Sequence, residues 1–257
     1  MRTLVNHGLV RRLAPLALLL GLWWLVSWRW AALFPGPVET GSEVVALVRS
    51  GELWRHLCLT MFRGGVGLLL GLAAALLLGV PCGFLRPVMA LLTPLVTAMQ
   101  SCPPIIWISI LLVWLRAGNT VPMLVVFAAV FPACFLNVAQ GVSGLDRRLL
   151  EMARVYRIPR AAVFRRIVLP GIARFTVASL SFALGITWKV TATAEFFGAP
   201  SGVGERIYWS YRALEMPRLF AWTAVIVAVG MVLEMGVVHP LREALDHERA
   251  GGGGDSA

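Results

Sequence analysis

The chain has 257 residues, of which 58% are hydrophobic and only 14% are Asp, Glu, Lys or Arg. A soluble fold of this size cannot hide so much apolar surface, and the same counts exclude disorder, a disulfide scaffold and a nucleic-acid-binding domain, which leaves an integral membrane protein. The net charge of +10 comes from 23 basic and 13 acidic residues, and 22 of the basic ones are arginine; in a membrane protein such an excess reports topology and anionic lipid headgroups first.

A helix needs about 20 apolar residues to cross the hydrocarbon core. The first such run is 13–34, behind Arg11 and Arg12, with Trp23, Trp24, Trp28 and Trp30 toward its far end. Charge before and aromatics after predict a helix entered from the inside, with tryptophans as interfacial anchors. A cleaved signal peptide is the rival, but no small-x-small site ends the run and more spans follow. Residues 1–12 are then an inner N-terminus. Residues 35–60 read as a polar loop. The second span is 62–85. Its steps Gly67-x3-Gly71-x3-Ala75 and Gly79-x3-Gly83 permit close helix approach.

Residues 87–101 are broken by Pro87 and Pro94 and are expected partly along the interface. Ser101-Cys102-Pro103-Pro104 then interrupts the pattern, because proline removes a donor and restricts the residue before it. The third span is 104–116 and the fourth 120–141. Residues 142–170 form an arginine-rich loop, followed by a fifth span, 171–194. A polar loop, 195–218, leads to the sixth, 219–238. The transmembrane domain is thus 13–240, and the tail 241–257 ends in a disordered GGGGDSA. An even count puts both termini inside, with 14 arginines on the inner side against eight outside.

Nothing resembles a catalytic centre. Cys58, Cys82, Cys102 and Cys134 make no CxxC pair and read as buried membrane residues. His7, His56, His239 and His247 match no metal spacing.

The inner loop carries two amphipathic patterns. In 147–156, Leu149, Leu150, Met152, Ala153 and Tyr156 fill one arc. Arg147, Arg148, Glu151 and Arg154 fill the opposite one, with Val155 the exception. Asp146 is a good N-cap, and Glu151 can pair with Arg147 and Arg154. Pro159 suits the first position of a second helix, which Pro170 ends. Two occupants fit such helices: lipid phosphates, or a soluble partner.

Spacing narrows the choice. Glu151-Met152-Ala153 with Ile167, Leu169 and Pro170 resembles the cytoplasmic Glu-Ala-Ala signature of ATP-binding-cassette importer permeases. Met152 replaces the first Ala, and Arg157 stands where that signature has Gly. Arginine at a turn needing positive φ costs on the order of 1 kcal/mol. The stretches 50–71 and 193–207 are similar to permeases of the nitrate, aliphatic-sulfonate and taurine importers. The resemblance covers about 15–240 and implies an all-α, type I importer permease in a bacterial inner membrane. It implies a permease homodimer with cytoplasmic ATP-binding subunits and an extracytoplasmic substrate-binding protein. No cofactor is then bound directly, and ATP and Mg belong to the partner subunit. The helix near 148–157 would be the coupling helix, with Glu151, Met152, Ala153, Arg154, Tyr156 and Arg157 as the ATPase-subunit interface. Glu151 as a plain salt-bridged surface residue is the alternative.

Lys189 is the only lysine and falls inside the fifth span beside Thr187, Thr191 and Thr193. An ionisable group there is costly and often faces a cavity. For an importer of small anions, Lys189, Thr187 and Thr191 are substrate-path candidates. The alternatives are that Lys189 snorkels outward or pairs with Glu195. A permease for a different small solute, a secondary carrier and an intramembrane enzyme are the rival functions. No internal repeat favours a carrier, and no acid/base pair favours an enzyme.

Overall fold

The computed structural model describes residues 18–30 and 33–240. The inner N-terminus 1–12, the start of the first span and the tail 241–257 lie outside the described residues. What is described is helical. An apolar helix α1 covers Leu18–Arg29. Helix α2, Pro37–Arg49, replaces most of the expected loop 35–60. Its sequence explains the correction. Pro37 occupies the first turn, where its missing N–H costs nothing, and the Gly36 N–H donates to the Glu39 carboxylate at 3.3 Å. Leu47 then buries itself against Trp222 and Val225. Gly51, at φ 76°, turns the chain into α3, Glu52–Phe84. That helix starts ten residues before the expected second span, so its first turns carry Glu52, His56, Thr60 and Arg63.

Helices α4, Arg86–Ser101, and α5, Pro104–Leu115, meet at 93° across Cys102-Pro103. Pro94 does not break α4, and Pro87 lies in its first turn. Neither helix is long enough to cross alone, so the third span is a bent pair. Helix α6 is Thr120–Ser143 and α7 is Arg147–Val155. Helix α8, Arg160–Val163, a π-turn, Phe164–Val168, and α9, Leu169–Gly198, run on as one helix of 39 residues. Pro170 was expected to end a helix and does not. The π-turn just before it closes with the Leu169 N–H donating to the Phe164 carbonyl, so the ladder is already widened where the proline enters. Helix α9 also runs past the expected end at 194, and the polar loop after it contains α10, Val203–Arg212. Helix α11 is Met216–Leu233 and continues through a second π-turn, Glu234–Val238.

Among the described residues, four helices are long and apolar enough to span a bilayer: α3, α6, Arg160–Gly198 and Met216–Val238; the bent α4–α5 pair makes five. Of these, α6 has 61% of the residues in its apolar stretch buried, against 33% or less for the other three, so it is the central helix. The small-residue steps explain its seam with α3. A Cβ on Gly67 would lie 2.5 Å from the Met123 carbonyl, and one on Gly83 would lie 2.6 Å from Val142 Cβ. Only glycine lets these backbones approach so closely. Leu68, Ala75, Val126, Val130 and Phe135 fill the seam, and Ala183 closes it from α9. A second cluster joins Leu47, Leu53, Val203 and Trp222. Trp188 and Trp222 are therefore packing residues rather than interfacial anchors. Of the cysteines, Cys82 and Cys134 are buried, Cys102 is half-buried and Cys58 is exposed.

Candidate functional site: the loop helix and a buried polar node

Helix α7 forms for local reasons. The Asp146 carboxylate accepts the Arg148 N–H at 2.8 Å, which caps the first turn. At the other end the Arg157 N–H donates to the Arg154 carbonyl at 3.0 Å and the Ile158 N–H to Ala153 at 2.9 Å. That pair of bonds is a Schellman stop, whose pivot residue is left-handed. Here the pivot is Arg157, at φ 50°. The cost expected for an arginine at the glycine position is therefore incurred.

The apolar arc divides. Ala153 is 2% exposed and faces the bundle, while Met152 is 46%, Tyr156 74% and Val155 78% exposed. Val155, the sequence exception, joins the outward strip. Glu151 and Arg154 line a polar cleft of about 300 Å³ with Arg86, Arg147 and Ser143. Glu151 forms no ion pair among the described residues, so the anticipated bonds to Arg147 and Arg154 are absent. An apolar groove of about 580 Å³ adjoins it, lined by Phe84, Ala153 and Phe164 and by Arg154, Arg157 and Arg160. This end of the bundle combines exposed apolar side chains with unpaired guanidiniums, which suits a protein cleft.

At the opposite end of α3, α6 and α9 lies a node that periodicity did not reveal. Arg63 and Glu195 are 1% and 0% exposed and pair at 2.6 Å. The Arg63 guanidinium also donates to Asn119 at 2.6 Å and to the Ser201 hydroxyl at 2.7 Å. Glu195 accepts the Thr60 hydroxyl at 2.7 Å and the Gly204 N–H at 3.2 Å. The Thr60 hydroxyl in turn accepts the Val203 N–H at 3.0 Å. Gly202 is dictated by this carboxylate, and Gly204 by the α9 backbone. Gly202 has φ 116°, and a Cβ there would lie 2.3 Å from Glu195 Cδ; one on Gly204 would lie 2.0 Å from the Ala192 carbonyl.

His56 borders the node. Its Nδ1 accepts the Gly202 N–H at 3.0 Å, and its Nε2 lies 3.0 Å from Arg206 Nε. A neutral imidazole accepts through one nitrogen only. Arg206 Nε also lies 3.1 Å from Glu52 Oε1, an ion pair. Burial pushes the Glu205 carboxyl up, and Arg206 opposes the shift.

The substrate-path candidates separate. Thr187 and Thr191 are buried, donate to the carbonyls of Ala183 and Thr187, and press on Gly64. Lys189 instead lines a cleft of about 530 Å³ between α9 and α11 with Phe182, Trp188, Gly230, Met231 and the acidic Glu234. Its suggested pairing with Glu195 is excluded, because Glu195 is bound to Arg63.

Residues 67–241 match the family described as the binding-protein-dependent transport system inner membrane component. The chain belongs to that family. As a member of this family of inner membrane components, it is a multi-pass transport subunit, with ATP hydrolysis on a separate subunit. It is 29% identical over 243 residues to the putative aliphatic sulfonates transport permease of Escherichia coli (strain K12), covering 92% of this chain and 89% of that one. It is 27% identical over 237 residues to the taurine transport system permease of the same organism, covering 88% and 85%. A bacterial ABC transporter involved in import of the acidic polysaccharide alginate has a chain that superposes with a TM-score of 0.65 at 15% identity, covering 95% of this chain and 99% of that one. That likeness shows the fold, a type I importer permease.

Proposed function

We propose that the chain is the permease of an ATP-driven importer for a small anion of the sulfonate, taurine or nitrate type, delivered by an extracytoplasmic binding protein. It works as a homodimer in the inner membrane, with both termini and α7 in the cytoplasm. Helix α7 docks in the cleft of an ATP-binding subunit through Glu151, Met152, Ala153, Arg154, Tyr156 and Arg157. The observation that carries this reading is the exposed strip of α7, closed by its Schellman turn and followed, through Ile167, Leu169 and Pro170, by unbroken helix into the membrane. Motion imposed on the loop by closure of the ATPase pair passes into α9 without a flexible joint after Arg160. Relatives that carry sulfonates and taurine by name support the substrate class, and a cation within the fifth span at Lys189 suits an anion.

The test is a pull-down with uptake. Tagged permease retains its ATP-binding subunit and supports uptake of labelled taurine or an alkanesulfonate. Glu151→Ala lowers that uptake at least about tenfold, with the permease still in the membrane. A permease that never retains an ATPase, together with full uptake by Glu151→Ala, sinks the reading. Transport of an unrelated solute with the sulfonates excluded would retain the permease role and overturn the substrate class.

A further inference from the structure

Resting on the permease reading, we infer that Arg157 is a recognition residue for the ATP-binding subunit, selecting an apolar side chain flanked by carboxylates. Three observations converge on it. First, the left-handed pivot of a helix stop accepts glycine without strain, and this chain places an arginine there at φ 50°. Second, the loop is strongly uncompensated. Residues 147–166 hold seven arginines, and the nearby acids are Asp146 and Glu151. Asp146 is occupied by the Arg148 N–H. None of the seven guanidiniums is in an ion pair among the described residues. Third, Arg157 lines the 580 Å³ groove together with Phe84, Ala153 and Phe164.

The lining of the groove defines the occupant. Its apolar side chains take an apolar anchor, and Arg154, Arg157 and Arg160 take carboxylates in charge-assisted, often bidentate bonds. A bilayer surface would also attract these arginines. It would not explain a strained backbone that fixes one guanidinium beside a groove, since lipid headgroups impose no register. The αL turn fixes where the Arg157 side chain leaves the backbone, which lowers the entropy lost on pairing.

Glycine separates the two roles of the position. If Arg157 only turns the chain, Arg157→Gly relieves strain and binding is unchanged or tighter. If it recognises the partner, Arg157→Gly folds at least as well and binds worse. The experiment places full-length permease in nanodiscs and measures association of the purified ATP-binding subunit of its own transporter across a salt series. It compares wild type, Arg157→Gly and Arg157→Lys in phosphatidylcholine and in phosphatidylglycerol discs. The expected result is about a tenfold weaker Kd for Arg157→Gly in both lipids, with a flatter salt dependence. Arg157→Lys falls between, and thermal unfolding shows Arg157→Gly no less stable than wild type. Equal or tighter binding by Arg157→Gly overturns the inference and leaves the permease reading intact. A loss confined to phosphatidylglycerol assigns Arg157 to the membrane and also overturns it. Failure of the wild type to bind an ATPase overturns the parent reading, and this one with it.

Discussion

Glu195 and Arg63 are separated by 132 residues and meet with almost no solvent contact. Removing one partner leaves the other charge buried alone, which costs about 3–5 kcal/mol. Glu195→Ala is therefore expected to lower the thermal unfolding temperature in detergent sharply. Glu195→Ala combined with Arg63→Met is expected to recover part of the loss, because no uncompensated charge remains. Additive losses in that double-mutant cycle would show that the pair does not interact in this way. Charge counts and helical wheels could not join these residues: both ends of the pair lie near loops, where a charge is ordinary. Their trace in the sequence was indirect. The stretches 50–71 and 193–207 stood out as similar to importer permeases, and those are the segments the node ties together. The αL pivot at Arg157 was more legible, because a registered motif marked the position where glycine belongs.

Between elements, the α3–α6 seam was readable because a four-residue glycine step has one main structural use. Gly83→Val would put methyls where Val142 and the Ala139 carbonyl already lie. Overpacking of this kind costs about 1–3 kcal/mol, and a lower unfolding temperature with reduced membrane yield checks it. Gly65 has open space around a new Cβ, so Gly65→Ala is the control and leaves both unchanged. Helix α2 was missed because Gly41, Ser42 and two glutamates make 37–49 look like loop. Its stability comes from burying Leu47 against α11, a tertiary term that local propensity does not contain. Pro170 was misjudged for the opposite reason. A proline rule is local, and the π-turn before it relieves the clash the rule assumes.

For the whole molecule, hydropathy located the long spans but could not tell a straight crossing from a 93° bent pair. Charge placement separates the two ends: one holds the buried Arg63–Glu195 pair, the other unpaired arginines. Lys189 lies between them. Nine residues separate it from Gly198, about 14 Å along the helix at 1.5 Å per residue, which is beyond the reach of a lysine side chain. Lys189→Met is expected to reduce anion uptake several-fold while ATPase retention stays at the wild-type level. Unchanged uptake would remove Lys189 from the path. The unbroken helix Arg160–Gly198 has a mechanical consequence. Its 39 residues measure about 58 Å end to end. It acts as a see-saw: a tilt of about 10° about its middle carries each tip roughly 5 Å, the height of one α-helical turn. A displacement of about 5 Å beside Arg160 thus becomes an equal and opposite one at Gly198.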